Sequence, residues 1–169
     1  RIVLLKSGIG KVCAAIGAQS MIHNYHPDYI INTGIAGSLD KKVNVMDVVI
    51  GEKTVYHDVD CSTGNEYGQI QGFPLYFFAD KKLLNAAKQI NIAQRLHIGL
   101  TCSGDKFISD LDSLKHIKSL FPEGLAVDME SNAIAQVCYL YNVPFLSLRI
   151  ISDTPGITDH IGQYTDFWK

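Results

Sequence analysis

The sequence lacks the features typical of nucleic-acid-binding and membrane proteins. Its 169 residues include 15 Lys and Arg against 17 Asp and Glu, which gives a formal net charge of −2. A protein that binds a phosphate backbone needs a clustered excess of positive charge, so this balance argues against that class. No apolar run approaches the roughly 18 residues needed to span a bilayer. Residues 1–6 resemble a short strand with no cleavage pattern behind it, so no signal peptide is expected.

Cysteine is also scarce. The four cysteines lie at positions 13, 61, 102 and 138, and no two of them form a CxxC pair. A zinc site is therefore not expected, and the cytoplasm, a reducing compartment, is the simplest location for the protein. Cys13 and Cys138 fall within apolar helical stretches, where we expect them to be buried like small hydrophobic side chains.

The residues that are present indicate a globular α/β domain. Hydrophobic residues make up 47% of the chain, which is too apolar for disorder, and its length fits one domain. The patterns predict strands over residues 2–5, 29–31, 43–50, 75–78, 96–102, 125–127 and 144–151, and helices over residues 11–25, 81–90, 110–120 and 131–141. Apolar strands separated by helices favour a mostly parallel sheet covered on both faces. Part of the sheet is expected to be antiparallel, because no helix separates residues 43–50 from 75–78.

Small and polar residues follow five of these strands. They occupy residues 7–10, 32–34, 103–105, 128–130 and 152–153. Ligands of open α/β sheets bind at the carboxyl ends of strands, so we expect these segments to meet at one rim. Glu130 and Asp153 follow core strands and should be partly buried with perturbed pKa values. Asp105 is better explained as a helix cap.

Arg149 is a charge within an otherwise apolar strand. Burying it is costly unless it is paired. Two interpretations are equally good: a structural ion pair with Glu130 or Asp128, or a cation that orients a ligand or a water.

Several shorter motifs do not support a site. Residues 8–11 resemble the end of a P-loop, but its leading Gly and its metal-binding Ser or Thr are missing. Residues 34–37 lack the spacing of a dinucleotide fingerprint. His23 and His26 are not accompanied by further ligands, and His57 with Asp58 is expected to form a solvated turn.

Several segments together resemble one enzyme family. They are KSGIGKV (6–12), IINTGIAG (30–37), YHD (56–58), EYGQ (66–69), SGDKFI (103–108), AVDME (126–130), NVPF (142–145) and RIISD (149–153). In this order they are similar to the 5′-methylthioadenosine/S-adenosylhomocysteine nucleosidases of the nucleoside phosphorylase superfamily. The resemblance implies one domain over residues 1–169, a three-layer α/β/α sandwich around a mixed central sheet, and a homodimer. It also implies an N-terminal strand before residue 1 that carries the water-activating glutamate, so the chain is expected to be truncated at both ends.

The same resemblance implies an activity. The family hydrolyses the N-glycosidic bond of 5′-methylthioadenosine and S-adenosylhomocysteine, releasing adenine and a thioribose product, without a metal or cofactor. Asp153 matches the acid that protonates adenine at N7. Glu130 matches the carboxylate that binds the ribose hydroxyls and stabilises the positive charge on the sugar. Arg149 matches the residue that positions Glu130 and the attacking water.

Substrate-binding residues are implied in the same way. Ser152 orients the acid, Met129 packs on the sugar, Phe107 stacks on adenine, and the Ile108 backbone hydrogen-bonds it. Further pocket residues are Ile9, Ile35, Ala36, Gly37 and Tyr164. The loop near Cys61 is expected to close the pocket of the partner subunit.

Hydrolysis is favoured over phosphorolysis by residues 32–35. Related phosphorylases hold phosphate with Arg and Ser at this point, whereas Asn32 and Ile35 offer little to a dianion. Three alternatives stay open at this point: an aminodeoxyfutalosine nucleosidase, a nucleoside phosphorylase, and a non-catalytic nucleoside-binding homologue.

Overall fold

A computed structural model describes residues 1–167 and contains, over that range, five helices and six strands. The helices are α1 (Lys11–Tyr25), α2 (Lys81–Lys88), α3 (Leu111–Leu120), α4 (Ser131–Tyr141) and α5 (His160–Asp166). The strands are β1 (Ile30–Ser38), β2 (Val48–Tyr56), β3 (Phe77–Phe78), β4 (Leu96–Ser103), β5 (Gly124–Asp128) and β6 (Phe145–Asp153). Within the described range, none of the helices is both long enough and apolar enough to cross a bilayer.

The strands form one mixed sheet in the order β3-β2-β4-β5-β1-β6. The pairs β1–β6, β2–β4 and β4–β5 are parallel, whereas β1–β5 and β2–β3 are antiparallel. Strand β2 also pairs with β6 in antiparallel fashion, which closes the sheet into a ring. The α/β class and the mixed sheet are therefore confirmed. The three-layer sandwich is not, because a closed sheet lacks the two open faces of such a sandwich.

Closure depends on a change of partner within β2. Its first half pairs with β6 at residues 48–51, and its second half pairs with β3 at residues 53–54. Gly51 lies at the change, where a Cβ would approach Ser147 Cβ to 3.2 Å and Thr101 Oγ1 to 3.3 Å. A side chain at this position would crowd the ring interior, so glycine suits the junction.

The ring encloses a buried apolar cluster. Its side chains come from β1, β2, β5, β6 and the loop before β2: Ala36, Val43, Val49, Leu125, Ala126 and Ile151. Burial of these groups supplies the hydrophobic free energy that holds the ring together.

Local signals located most helices correctly. Helices α1 and α4 have the predicted bounds, and Asp80 caps α2 by accepting hydrogen bonds from the N–H groups of Lys82 and Leu83. Asp110 was expected inside α3, but it is the cap, because its carboxylate accepts from Ser113 N. Helix α5 was not predicted.

The first predicted strand is wrong. Residues 2–5 pair with no strand within residues 1–167, and Ile2 and Leu4 are 89% and 92% exposed. An apolar run becomes a strand only when a neighbour completes its hydrogen bonds. Strand β1 extends to residue 38 instead of ending at 31, and β2 covers residues 48–56 instead of 43–50.

The buried face of α1 also differs from the prediction. The hydrophobic spacing predicts an apolar stripe of Val12, Ile16 and the pair Met21–Ile22, and Ile22 is buried, yet Val12 and Ile16 are exposed. Small residues are buried there instead, Ala14 and Ala18 among them, and they pack in one cluster with residues of α4. Small side chains allow close helix approach, which the hydrophobic pattern does not register. Cys138 is buried as predicted, whereas Cys13 is exposed.

Candidate active site

A cavity of about 840 Å³ lies between residues 3–9, strand β1 and the ends of β5 and β6. This volume falls in the range of about 300–1,000 Å³ typical of small-molecule sites. Every residue predicted for the site lines it: Ile9, Ile35, Ala36, Gly37, Phe107, Ile108, Met129, Glu130, Arg149, Ser152, Asp153 and Tyr164. The cavity therefore brings together groups that are up to 155 positions apart in the chain.

Strand pairing explains why two acidic segments meet here. Gly37, near the end of β1, pairs with Val127 of β5 on one side and with Asp153 of β6 on the other. The end of β5 leads directly into Glu130, and β6 ends at Asp153. Both carboxyl groups therefore face one cavity instead of opposite ends of the molecule.

Arg149 is 3% exposed and contacts two carboxylates. Its Nε lies 2.7 Å from Oδ2 of Asp128, and its Nη2 lies 3.6 Å from Oε2 of Glu130. Nη1 also donates to the carbonyl of Ile35 at 3.4 Å. The structural ion pair is therefore present, and because the guanidinium also lines the cavity, its role in orienting a ligand or a water stays a prediction.

Gly34 provides the space for this guanidinium. It pairs with Arg149 across β1 and β6, and a Cβ at Gly34 would lie 2.2 Å from Nη1. Any side chain there would displace the arginine head group from the carboxylates.

Asp128 is held by a buried network. Its Oδ1 accepts from Ser103 Oγ at 2.5 Å and from Ser131 N at 3.2 Å, and its Oδ2 is bonded to Ser131 Oγ. Arg149 Nε also donates to Ser131 Oγ at 3.1 Å. The sequence predicted Asp128 only as one possible partner of Arg149, and the strand end before α4 was the signal that it belongs to the site.

Glu130 and Asp105 are fixed by the start of α1. Gly10 N donates to Oε1 of Glu130 at 2.9 Å, and Lys11 N donates to Oδ1 of Asp105 at 2.7 Å. The first N–H groups of a helix lack intrahelical partners and favour negative charge. Asp105 is therefore a helix cap as predicted, but it caps a helix distant in sequence.

Asp153 is 3% exposed at the end of β6. Ser152 Oγ donates to its Oδ1 at 2.6 Å, and Nε2 of His160 lies 3.3 Å from its Oδ2. Sequence reasoning missed His160, because the pattern of residues 154–167 did not indicate α5.

Two of the carboxyls that line the cavity, Glu130 and Asp153, have raised pKa values. Burial raises the pKa of Glu130, and the charge of Asp128 adds to this, while the Gly10 N–H and Arg149 act in the opposite direction. Burial raises the pKa of Asp153 against the hydrogen bond from Ser152 and the charge of His160. A protonated carboxyl can serve as a general acid, and an ionised one beside it can stabilise positive charge.

Aromatic rings form one wall of the cavity. Phe107 is 45% exposed, and its ring centroid lies 5.4 Å from that of Tyr164 and 5.5 Å from that of His160. A partly exposed ring held by two neighbours offers a flat apolar surface to a planar ligand.

The predicted solvated turn at His57 and Asp58 is wrong for the histidine. His57 is buried, and burial lowers its pKa. Its carbonyl accepts from the Tyr67 hydroxyl at 3.2 Å, and Asp58 pairs with Lys11 at 2.9 Å, so tertiary contacts order this turn. Within residues 1–167, no group of three or more His, Cys, Asp or Glu side chains is arranged to hold a metal ion.

Comparison with known proteins relates this chain to a group of nucleosidases. The family model described as the phosphorylase superfamily matches residues 1–167. The 5′-methylthioadenosine/S-adenosylhomocysteine nucleosidase of Haemophilus influenzae (strain PittEE) is 48% identical over 155 residues, which cover 90% of this chain and 68% of the relative.

Solved structures give the same result. The S. pneumoniae nucleosidase with the transition-state inhibitor MT-ImmA has a TM-score of 0.90 and 39% identity, over 97% of this chain and 72% of that one. The Colwellia psychrerythraea 34H nucleosidase in complex with adenine has a TM-score of 0.91 and 35% identity, over 96% and 69% of the two chains. Since family model, sequence and fold agree, this chain belongs to the phosphorylase superfamily and, within it, to the 5′-methylthioadenosine/S-adenosylhomocysteine nucleosidases.

Proposed function

We propose that this chain hydrolyses the N-glycosidic bond of 5′-methylthioadenosine and S-adenosylhomocysteine, releasing adenine and the thioribose product. One observation carries the proposal: two carboxyls with raised pKa values, the half-buried Glu130 and the buried Asp153, line one cavity of nucleoside size. The identity of 48% to a nucleosidase supports the substrate class.

In this reaction the bond between the sugar carbon and the purine nitrogen breaks, and its electron pair leaves with adenine. Asp153 gives its proton to N7 of the purine, so that adenine leaves as a neutral molecule. Ser152 orients the acid through its hydrogen bond to Oδ1 at 2.6 Å. Water then adds its hydroxyl to the sugar carbon, and its other proton passes to a base, a role that we assign to no side chain among residues 1–167.

Glu130 acts on the sugar, which becomes positively charged as the bond breaks. As a carboxylate it accepts hydrogen bonds from the ribose hydroxyls and stabilises the positive charge that develops on the sugar. Arg149 lies 3.6 Å from Glu130 and holds it, while Asp128 neutralises the remaining charge of the guanidinium. In this low-dielectric cavity such fixed charges act more strongly than they would in water.

The remaining cavity residues bind the parts of the substrate that do not react. We assign adenine to the exposed face of Phe107 and to the backbone of Ile108, and the sugar to Met129. The apolar 5′-alkylthio group is assigned to Ile9 and Tyr164. The backbone at Ile35, Ala36 and Gly37 completes the floor of the cavity.

We further propose hydrolysis rather than phosphorolysis. Asn32 Nδ2 is already bonded to Ser131 Oγ at 3.1 Å, and Arg149 is neutralised by Asp128 at 2.7 Å. Asn32 is a neutral amide and the charge of Arg149 is balanced by Asp128, so neither group offers an uncompensated positive charge to repay the desolvation of a phosphate dianion. Lys6 and Lys106 line the same cavity, so the effect of phosphate on the rate is a direct test of this point.

The experiment is adenine release from methylthioadenosine, followed with and without phosphate. We expect turnover that phosphate does not change, and a loss of about 10²–10⁴-fold in kcat for Asp153→Asn. Unfolding by urea would verify that the variant keeps its fold. Turnover like that of wild type in Asp153→Asn would refute the acid assignment. A sugar phosphate product would refute hydrolysis, and tight binding of substrate without turnover by the wild-type chain would indicate a binding protein.

We also propose that the chain acts as one domain, as a homodimer, in the cytoplasm. A single sheet contains all six strands of residues 1–167, which supports one domain. Ile9, Val12 and Ile16 form an exposed apolar stripe at the start of α1, and the cysteines at 13, 61, 102 and 138 are free thiols. We place the loop near Cys61 against the partner's pocket in this dimer. Sedimentation should show a dimer for the wild-type chain and a monomer for Ile16→Glu. A monomeric wild type would contradict the dimer.

A further inference from the structure

We propose that His160 is a positioning residue for the proton donor: it holds the carboxyl of Asp153 in place and shares its proton. The proposal rests on the proposed function, because it gives Asp153 the role of the acid. His160 lies in the first turn of α5, which packs against β6, so the fold carries its ring to the end of the strand that bears Asp153.

The geometry leaves His160 one polar neighbour for Nε2. That atom lies 3.3 Å from Oδ2 of Asp153, and each residue is 3% exposed. Within residues 1–167, Nε2 of His160 makes no hydrogen bond of good geometry, and the carboxyl of Asp153 at 3.3 Å is the charged group that it faces. Burying an imidazole nitrogen without a partner is costly, and Leu or Phe would fill the same space without that cost. A histidine at this position is therefore explained by the carboxyl, not by packing.

The second contact of His160 is with the ring assigned to adenine. The centroids of His160 and Phe107 are 5.5 Å apart, with a tilt of 40° between the planes. One side chain thus touches both the acid and the surface on which the purine lies. His160 therefore helps to fix both the position of adenine and the position of the Asp153 proton that adenine receives.

Several charged groups surround this pair. Lys6, Lys106, Asp128, Glu130 and Arg149 line the same cavity, and Asp159 precedes His160 at the start of α5. Burial raises the pKa of Asp153, and the Ser152 hydrogen bond and the charge of His160 act against burial. Removing His160 takes away a group that favours the carboxylate, so the pKa of Asp153 should move further upward.

The proton transfer explains what the contact between His160 and Asp153 does in the reaction. When Asp153 transfers its proton to N7, the O–H bond breaks and a buried carboxylate remains. His160 faces that carboxylate with an N–H or an imidazolium, either of which stabilises the new negative charge. After adenine leaves, one proton from solvent returns to the carboxylate of Asp153, which restores the neutral acid for the next turnover.

The test compares His160→Gln and His160→Leu with the wild-type chain, using the pH dependence of kcat and of kcat/KM. Leucine removes the charge and the N–H, so we expect the basic limb of kcat/KM to move upward by about 0.5–1 pH unit. We also expect kcat to fall about tenfold, with KM changed less than about twofold, since a weaker acid donates less readily. Glutamine retains an N–H without a titratable charge and should recover part of kcat without restoring the limb.

A matched control is His97→Gln, which removes a histidine paired with Asp47 at 2.8 Å outside the cavity. It should leave the pH profile unchanged. An unmoved basic limb in a folded His160→Leu protein would overturn the proposal. If the wild-type chain releases no adenine, the proposed function fails instead. The inference is then decided by carbon NMR of the Asp153 carboxyl. The pKa of this carboxyl should be higher in His160→Gln than in the wild-type chain, and an unchanged pKa would refute the inference.

Discussion

Arg149 shows how one residue can serve both structure and chemistry. Its charge is buried, and Asp128 neutralises it at 2.7 Å while Glu130 remains within 3.6 Å. Both carboxylates line the cavity, but Asp128 is buried and Glu130 is half-buried, so the arginine connects the core to the carboxylate that we assign to the sugar.

Replacing Asp128 with Asn should therefore destabilise the whole protein. The substitution keeps the shape but leaves Arg149 without its closest counter-charge, at a cost of about 3–5 kcal/mol. Urea unfolding would measure this loss in the free energy of unfolding. Asp112→Asn is the control, because Asp112 makes only an exposed contact with Lys115 at 3.8 Å and should change stability little. Equal effects of the two changes would contradict the importance of the buried pair.

The raised pKa values of Glu130 and Asp153 predict the pH profile of the enzyme. Activity should rise as Glu130 loses its proton and fall as Asp153 loses its own. Since burial raises both pKa values, both limbs should lie above the ordinary carboxyl values of 4.5 and 3.8. The profile of kcat/KM tests this, and Glu130→Gln should remove the acidic limb and lower the rate. Limbs at the ordinary values would show that the cavity does not desolvate these groups.

At the scale of elements, helix ends do much of the positioning. The start of α1 has no capping side chain of its own at Gly10, and it receives Glu130 and Asp105 instead. Helix α2, in contrast, is capped locally by Asp80. The local cap of α2 contributes to stability alone. The first N–H groups of α1 are instead bound by carboxylates from distant segments, so the stability of this helix depends on the geometry of the site.

Asp80→Ala should accordingly lower stability without affecting the reaction. The carboxylate satisfies the N–H groups of Lys82 and Leu83 at 2.9 and 3.0 Å, and losing such a cap costs about 1 kcal/mol. Thermal unfolding should show this loss, while kcat/KM stays within about twofold. Lys81→Ala, an exposed change in the same helix turn, is the control for any effect of alanine itself. A strong loss of activity in Asp80→Ala would contradict this separation.

At the scale of the molecule, closure of the sheet is secured by the turn before β2. Asp47 accepts from Asn44 N at 2.9 Å and pairs with His97 at the start of β4 at 2.8 Å. The backbone of the same residue accepts from Ile151 N at 2.9 Å, which ties the turn to β6. One aspartate thus joins the two strands that flank β2.

This aspartate should make stability sensitive to acid. Burial works to raise the pKa of Asp47, but the Asn44 N–H and His97 outweigh it, so the pKa is lowered below 3.8 in the folded state. A group whose pKa is lower in the folded than in the unfolded state stabilises the protein at pH values above its unfolded-state pKa. This stabilisation is lost as the pH falls through the folded-state pKa. Asp47→Asn should therefore be less stable than wild type at neutral pH, and the difference should shrink below pH 3.8.

Urea unfolding across pH measures that difference. Asp28→Asn, in an exposed loop, should give a difference that does not depend on pH in the same way. A gap between Asp47→Asn and wild type that stays constant down to strongly acidic pH would refute this assignment.

The sequence by itself determined the alternation of helices and strands, the bounds of α1 and α4, and, through the family resemblance, the predicted site residues that line the cavity. These depend on short-range patterns and on motifs that lie within single segments. Residues 2–5, α5 and the buried face of α1 were not determined this way. A strand needs a partner, and a small-residue face needs a neighbouring helix, so neither is written in local hydrophobicity.

Only the tertiary structure decided how the parts meet. It closed the sheet through β2 and β6, placed His160 on Asp153, and made Asp128 rather than Glu130 the closest partner of Arg149. The physical reason is that charge pairing and burial depend on distances between segments far apart in the chain. Composition and spacing along one chain specify which groups are present, and packing decides which of them share a desolvated space.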